Sequence, residues 1–274
     1  MSSILTNNSA MVALQTLKGI NSSLAKTQDE ISTGKTVATA KDNASVWAIS
    51  KVMESDVAGF KAISDSLNLG QSTVAVASAG AESITDILKE MKTRIATATG
   101  ENVDYAKLTA EVDEMKANIT SIISASQFNG ANLLNTAGGD ITVLSSLDRD
   151  SSGAVTAANI TVASVDFEAG LDLSDIDVSS ATAAETSLAA LEAHIQTAVD
   201  GAAALGASAK RIEMQSDFVG RLTDAMKAGI GALVDADMEE ASARLQALQV
   251  QQQLGIQSLS IANQAPQSIL SLFR

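Results

Sequence analysis

The sequence predicts a mainly α fold: a bundle of long coiled-coil helices with a small β-hairpin region, in which the N- and C-terminal helices pair. Three observations carry this. Apolar residues make up 46% of the 274 residues, yet aromatics are 3% and Pro266 is the single proline. Aliphatic and small side chains without helix breakers suit helices lying side by side. Apolar positions also recur in alternating steps of three and four over long stretches, the signature of a helical seam. Finally, the two ends of the chain carry matching stripes.

At the front, Ala10, Ala13, Leu17, Ile20, Leu24, Thr27 and Ile31 step along one helical face up to Gly34. Thr36, Val37, Ala38 and Thr39 then interrupt the helix, and Lys41-Asp42-Asn43 leads into the next one. The strongest seam follows. Val46, Met53, Phe60, Leu67, Val74, Ala81, Leu88 and Ile95 are all apolar at a seven-residue spacing, with Ile49, Asp56, Ile63, Gly70, Ala77, Ile84, Met91 and Ala98 as the companion row. Such a helix is on the order of 75 Å long at 1.5 Å per residue. After Thr99-Gly100, a second seam runs Tyr105, Leu108, Val112, Met115, Ile119, Ile122 and ends near Phe128-Asn129-Gly130, where glycine suits the residue just past a helix.

The segment from about 136 to 180 differs in character. Ile141 to Leu144 and Asn159 to Val165 read as hairpin strands around a loose tip at Asp148 to Gly153. From Asp140 to Asp177 the segment holds eight acidic residues against Arg149, an exposed face in water whose irregular spacing lacks a calcium-loop pattern. A third seam then runs Leu188, Leu191, Ile195, Ala198, Ala202, Leu205, Ala209, Ile212, Ser216, Val219, Thr223, Met226, Ile230, Leu233. Last, Met238, Ala241, Leu245, Leu248, Gln252, Gly255, Leu259 and Ala262 mirror the front stripe; between Ala241 and Phe273 the one charge is Arg244, and eight glutamines carry the polar face. Neither terminal helix can bury its stripe alone, so the two are expected to form a coiled coil. Val250, Leu254, Ile256 and Ile261 spread apolar surface beyond that stripe, which calls for further neighbours, supplied either by an intramolecular bundle or, where one chain cannot supply them, by other copies.

Composition narrows the function. The net charge of −14 and pI near 4.4 speak against a nucleic-acid partner, which needs a basic stripe. No run of eighteen apolar residues predicts membrane insertion, and the uncharged but polar start, MSSILTNNSAMVALQTL, is unlike a cleaved signal peptide. Without cysteine there is no disulfide or zinc-thiolate site, and with the single histidine His194, read as solvated or partly packed, a histidine-dependent triad or zinc motif is not expected. Gly34-Lys35-Thr36 matches the end of a phosphate loop, but Asp29 stands where its first glycine belongs and no apolar strand precedes it. No enzyme, cofactor or metal site is therefore expected.

Three ordered motifs resemble bacterial flagellin. Ser32 to Ala44, STGKTVATAKDNA, is similar to the family's Ser-Ser-Gly-x-Arg-Ile-Asn-Ser-Ala-Lys-Asp-Asp-Ala; Ser126-Gln127-Phe128-Asn129-Gly130 resembles Thr-Gln-Phe-Asn-Gly; and Ala262 to Arg274, ANQAPQSILSLFR, resembles the family ending. The resemblance implies a structural subunit polymerising into the flagellar filament, in a short form with only terminal and rod domains. The alternative is the hook-filament junction protein, which shares the terminal organisation. The resemblance further implies an inner-tube domain from residues 1–42 and 236–274 and a rod domain from 43–235. Gly34, Lys41, Asp42 and Asn43 would link the two, and Leu17, Ile20, Leu24, Ile31, Leu245, Leu248, Leu259, Leu270 and Phe273 would make tube contacts. It implies an extracellular filament, export without a cleaved leader, and termini that order on polymerisation. The implied partners are further copies of the chain, the flagellar export apparatus, an export chaperone, the cap and the junction proteins. Thr36 replaces the linker arginine and Asn43 the second aspartate, so the salt bridge made there by other members is not carried over. Leu88 to Thr93, LKEMKT, likewise departs from the family pattern recognised by a host innate receptor.

Overall fold

The structure, a computed structural model, describes residues 7–100, 102–150 and 152–272. Its helices are α1 (Asn8–Thr33), α2 (Ala44–Ala98), α3 (Tyr105–Ala125), the short α4 (Phe167–Gly170), α5 (Ala181–Val234) and α6 (Met238–Leu272). Between α3 and α4 lie two antiparallel strand pairs: β1 (Gln127–Phe128) with β2 (Ala131–Asn132), and β3 (Ile141–Arg149) with β4 (Val155–Val162). The chain divides into two compact units, residues 1–55 with 225–274, and residues 56–224. The breaks at Gly34 to Asn43 and at Asp235 to Asp237 both lie within the first unit.

In the second unit the long seam of α2 is the core. Phe60, Ile63, Leu67, Val74, Ala77, Ala81, Ile84, Leu88, Met91, Ile95 and Ala98 are all buried. Leu108, Val112, Ile119 and Ile123 of α3 are buried as well, as are Val143, Ile160 and Val162 of the β3–β4 pair. Close backbone approach explains Gly70 within this row, since a Cβ there would lie 2.4 Å from Val143 Cγ2. In the first unit the α2 seam weakens, and Ile49 is 53% exposed.

The seam of α5 differs from the periodicity reading by one residue. Leu191, Ala198, Leu205, Ile212 and Val219 are buried as expected, and Ala184 extends their row, but the companion row is Ser187, His194 and Gly201. Leu188, Ile195 and Ala202 are only half-buried. The reason is what packs there: a Cβ on Gly201 would lie 2.5 Å from Val165 and 2.7 Å from Phe167, and Ser187 accepts from Asp177 N and donates to Asp177 O, both at 2.7 Å. His194 is 9% exposed, with Nε2 3.1 Å from Asp175 Oδ1, so it is packed and holds the connecting segment.

Two turn readings are corrected. α3 ends at Ala125, and Asn129 (φ 50°) and Gly130 (φ 85°) form the two-residue turn of the β1–β2 hairpin, for which Asn-Gly supplies both left-handed positions. The β3–β4 strands run on past Leu144 and start before Asn159. Their tip is closed rather than loose, because Asp150 Oδ1 accepts from Ser152 N (2.8 Å), Ser152 Oγ (2.6 Å) and Ala154 N (2.9 Å). The same Asp-x-Ser device recurs at Asp172-Ser174 and Asp177-Ser179. The hydrogen bonds to Ser152, Ser174 and Ser179 hold all three carboxyls below the usual range. Much of the acidic density therefore builds turns.

Candidate functional site

The first unit pairs α1 with α6 as antiparallel helices. Asn7 fixes one end: its Oδ1 accepts from Ala10 N at 3.1 Å, capping α1, while its Nδ2 donates to Ala262 O at 2.7 Å. Further along, Asn21 Oδ1 accepts from Gln252 Nε2 at 2.7 Å. Gly255 admits close approach, since a Cβ there would lie 3.2 Å from Leu17 Cδ1 and 3.7 Å from Ile20 Cδ1.

Ala10, Ala13, Leu17, Ile20, Leu24 and Ile31 are half-buried, and Thr27 and Glu30 are buried beside them. On α6, Ala241 is buried, and Leu245, Leu248, Gln252, Gly255, Leu259 and Ala262 are half-buried. Each stripe is thus partly covered within one chain. Phe273 lies outside the described residues, and the Leu270 side chain outside the described side chains. Beside the stripes, Met11, Val12, Leu14, Val250, Leu254, Ile256 and Ile261 are exposed, from 46% at Leu14 to 70% at Ile261. An open groove of about 790 Å³ runs between the helices, lined among others by Val12, Ala13, Ile20, Leu254 and Gly255.

The linker residues have separate roles. Gly34 ends α1 in the left-handed conformation at φ 70°, its N–H bonded to Glu30 O at 2.9 Å. That disposes of the phosphate-loop resemblance, because this glycine sits at a helix C-terminus, whose dipole repels anions. Thr36 N donates to Val234 O at 2.8 Å, Thr36 Oγ1 donates to the same oxygen at 3.2 Å, and Ala236 N donates to Gly34 O at 2.9 Å. With the antiparallel backbone pairing of Lys35 and Asp235, these bonds tie one chain break to the other. Asp42 Oδ2 accepts from Thr39 N and Oγ1, both at 2.9 Å, and these bonds lower the Asp42 pKa. Asn43 Oδ1 accepts from Val46 N at 3.2 Å and caps α2. Lys41 is exposed.

Two contributors escaped the sequence reading. Asp237 caps α6 by accepting from Glu239 N at 2.9 Å and Glu240 N at 3.2 Å, and the Asp-x-x-Glu spacing from Asp237 to Glu240 is a legible capping signal. The Thr36 bond to Val234 has no such signal, because its partner is a backbone oxygen far along the chain. Among the described residues no group of three His, Cys, Asp or Glu side chains converges as a metal site, and no helix is long and apolar enough to cross a membrane.

Two end helices that pair, joined by a bonded double break to longer helices, define a long-helix, coiled-coil class of protein. Residues 4–138 match the bacterial flagellin N-terminal helical region, and residues 188–273 match the bacterial flagellin C-terminal helical region. The chain is 44% identical to a flagellin of Brucella melitensis biotype 1, with all of both chains covered. It is 40% identical to flagellin FljK of Caulobacter vibrioides, covering 100% of this chain and 99% of that one. Flagellin C of Rhizobium meliloti is 36% identical over the full length of both. The chain belongs to the bacterial flagellin family, and it is a structural subunit of the flagellar filament. These matches, which run the length of the chain, favour the filament subunit over the junction protein.

Proposed function

We propose that residues 1–42 with 236–274 build the inner tube of the filament, and that residues 43–235 form the rod outside it. The observation that carries this is the row of exposed apolar side chains on the paired end helices: Met11, Val12 and Leu14 on α1, with Val250, Leu254, Ile256 and Ile261 on α6. Isolated apolar residues are ordinary on a surface, but a row flanking a half-covered seam marks an association surface. In this reading Leu17, Ile20, Leu24, Ile31, Leu245, Leu248 and Leu259 align the helix pair, and the exposed row, together with Leu270 and Phe273, meets neighbouring copies. Gly34, Lys41, Asp42 and Asn43 set the linker between tube and rod.

The chain acts without catalysis or cofactor, and it leaves the cell unfolded through the flagellar export apparatus without a cleaved leader. Its partners are further copies, an export chaperone, the cap and the junction proteins. Its acidity, with pI near 4.4, supports a protein that does not bind nucleic acid.

Electron microscopy after addition of short seed filaments tests the reading. The full chain should grow long tubes, and neither a chain lacking residues 1–42 nor the Leu24→Asp variant should, because the latter puts a charge into the seam. Growth of either altered chain would overturn the tube assignment.

A further inference from the structure

His194 is the single histidine of the chain, and the fold places it where a change of charge is felt. It lies in the inner row of α5, 9% exposed, with Nε2 3.1 Å from Asp175 Oδ1. Carboxylates titrate near pH 4 and lysines above about pH 10, so between about pH 5 and 8 histidine is the side chain that gains or loses a charge. Without cysteine, the chain's α-amino group is the other candidate in that range. An ionised Asp175 can only accept, so Nε2 carries the hydrogen of this contact and Nδ1 is the nitrogen that takes up the second proton.

The imidazole grips the segment that connects β4 to α5. Phe167, Leu171, Ile176 and Val178 of that segment are buried, so it covers part of the core. Its other ties are insensitive to neutral pH. Val165 N and Phe167 N donate to Leu133 O at 2.7 Å and Leu134 O at 2.9 Å, and Ser187 both accepts from and donates to the Asp177 backbone. Lys116 of α3 donates to Ile176 O at 2.7 Å and pairs with Asp113. On α2, Lys92 pairs with Glu192, two residues before His194 on its own helix, and Asp200 further along α5 accepts from Gln196. The charges that the segment itself presents are negative: Asp175 in contact, Asp172 close enough for the imidazole to act on its carboxyl electrostatically, and Asp177 beyond, bonded to Ser179. Glu168 of α4 accepts from Thr136 N.

We propose that His194 and Asp175 form a pH-sensitive clasp: protonation of the imidazole turns a neutral hydrogen bond into an ion pair and tightens the hold of α5 on residues 165–177. Burial opposes the charged imidazole, but two carboxylates on the facing segment favour it, and contact with one of them at hydrogen-bond distance is the stronger influence. The hold is complete below the histidine range and weakens as pH rises through it. Loosening shows first in the segment's own amides, since Leu171 N is bonded to Phe167 O and Asp177 N to Ser187 Oγ, both of which open when the segment lifts.

Hydrogen exchange of the full, unpolymerised chain at about pH 5.5 and about pH 8 provides the test, read as protection relative to the unfolded chain at the same pH. Residues 165–179 should be about fivefold better protected at the lower pH, the difference between a charged and a neutral hydrogen bond, while α2 from Ile84 to Ile95 should not change. H194Q keeps a donor in place that does not titrate, and D175N removes the charge on the exposed partner while keeping the packed imidazole. With folding checked by helical circular dichroism at both pH values, the difference should vanish in either variant. Equal protection of the unmodified chain at the two pH values overturns the clasp, and so does a difference that persists in either folded variant. Should H194Q fail to fold, D175N decides. The clasp lies within the second unit and is read on single chains, so its failure leaves the tube assignment standing.

Discussion

Around Gly34 there is open space for a side chain, but the backbone is left-handed at φ 70°. A substitution there is therefore strained by conformation alone. Gly34→Ala should cost about 1 kcal/mol, and Gly34→Asn clearly less, since asparagine tolerates this region. Urea unfolding of the three chains measures both; equal losses would mean that something other than φ decides the position. The same residue shows why a three-letter motif misleads. Gly-Lys-Thr binds phosphate only at a helix N-terminus, and here it closes a C-terminus. Asp150, Asp172 and Asp177 teach a related lesson, because each acidic residue serves a turn through the serine two positions on. That spacing is present in the sequence, where the acidic density on its own reads as a solvated charge run.

Among the elements, α2 was the most legible, since its seven-residue seam is the one buried from Phe60 to Ala98. Periodicity states which face is covered but not how closely. Gly70 is the case in point: only the approach of Val143 on β3 makes its missing side chain necessary. Gly70→Ala should destabilise the chain by about 1–3 kcal/mol through overpacking, and adding Val143→Ala should recover part of that loss. Denaturant unfolding of both single variants and the double variant provides the check, and strictly additive losses would contradict the contact. On α5 the companion row lies one residue before the apolar periodicity, which follows the bulkier Leu188 and Ile195 and then Ala202. The structure instead turns Ser187, His194 and Gly201 inward to receive the segment from Val165 to Asp177.

For the molecule as a whole, the two units differ in how fully their stripes are covered. Ile63, Leu67, Ile84 and Leu88 are 0% exposed, whereas most of the α1 and α6 stripe is only half-buried. Local opening follows such differences in buried contact. In unpolymerised protein, amides of α1 and α6 should exchange with solvent faster than those of α2 from Phe60 to Ala98, and they should slow markedly in filaments. Equal protection before polymerisation would show that the end helices are already stable without neighbours.

Local pattern is enough to show that the chain is helical, where its long helices run, that its ends pair, and to which family it belongs. Helical periodicity and short motifs are local and survive in one dimension. The rest comes from packing: the Thr36–Val234 bonds that join the two chain breaks, the inward turn of His194, and the glycines facing Val143 and Phe167. Each of these depends on a partner remote in sequence, which is not written into the pattern around the residue itself.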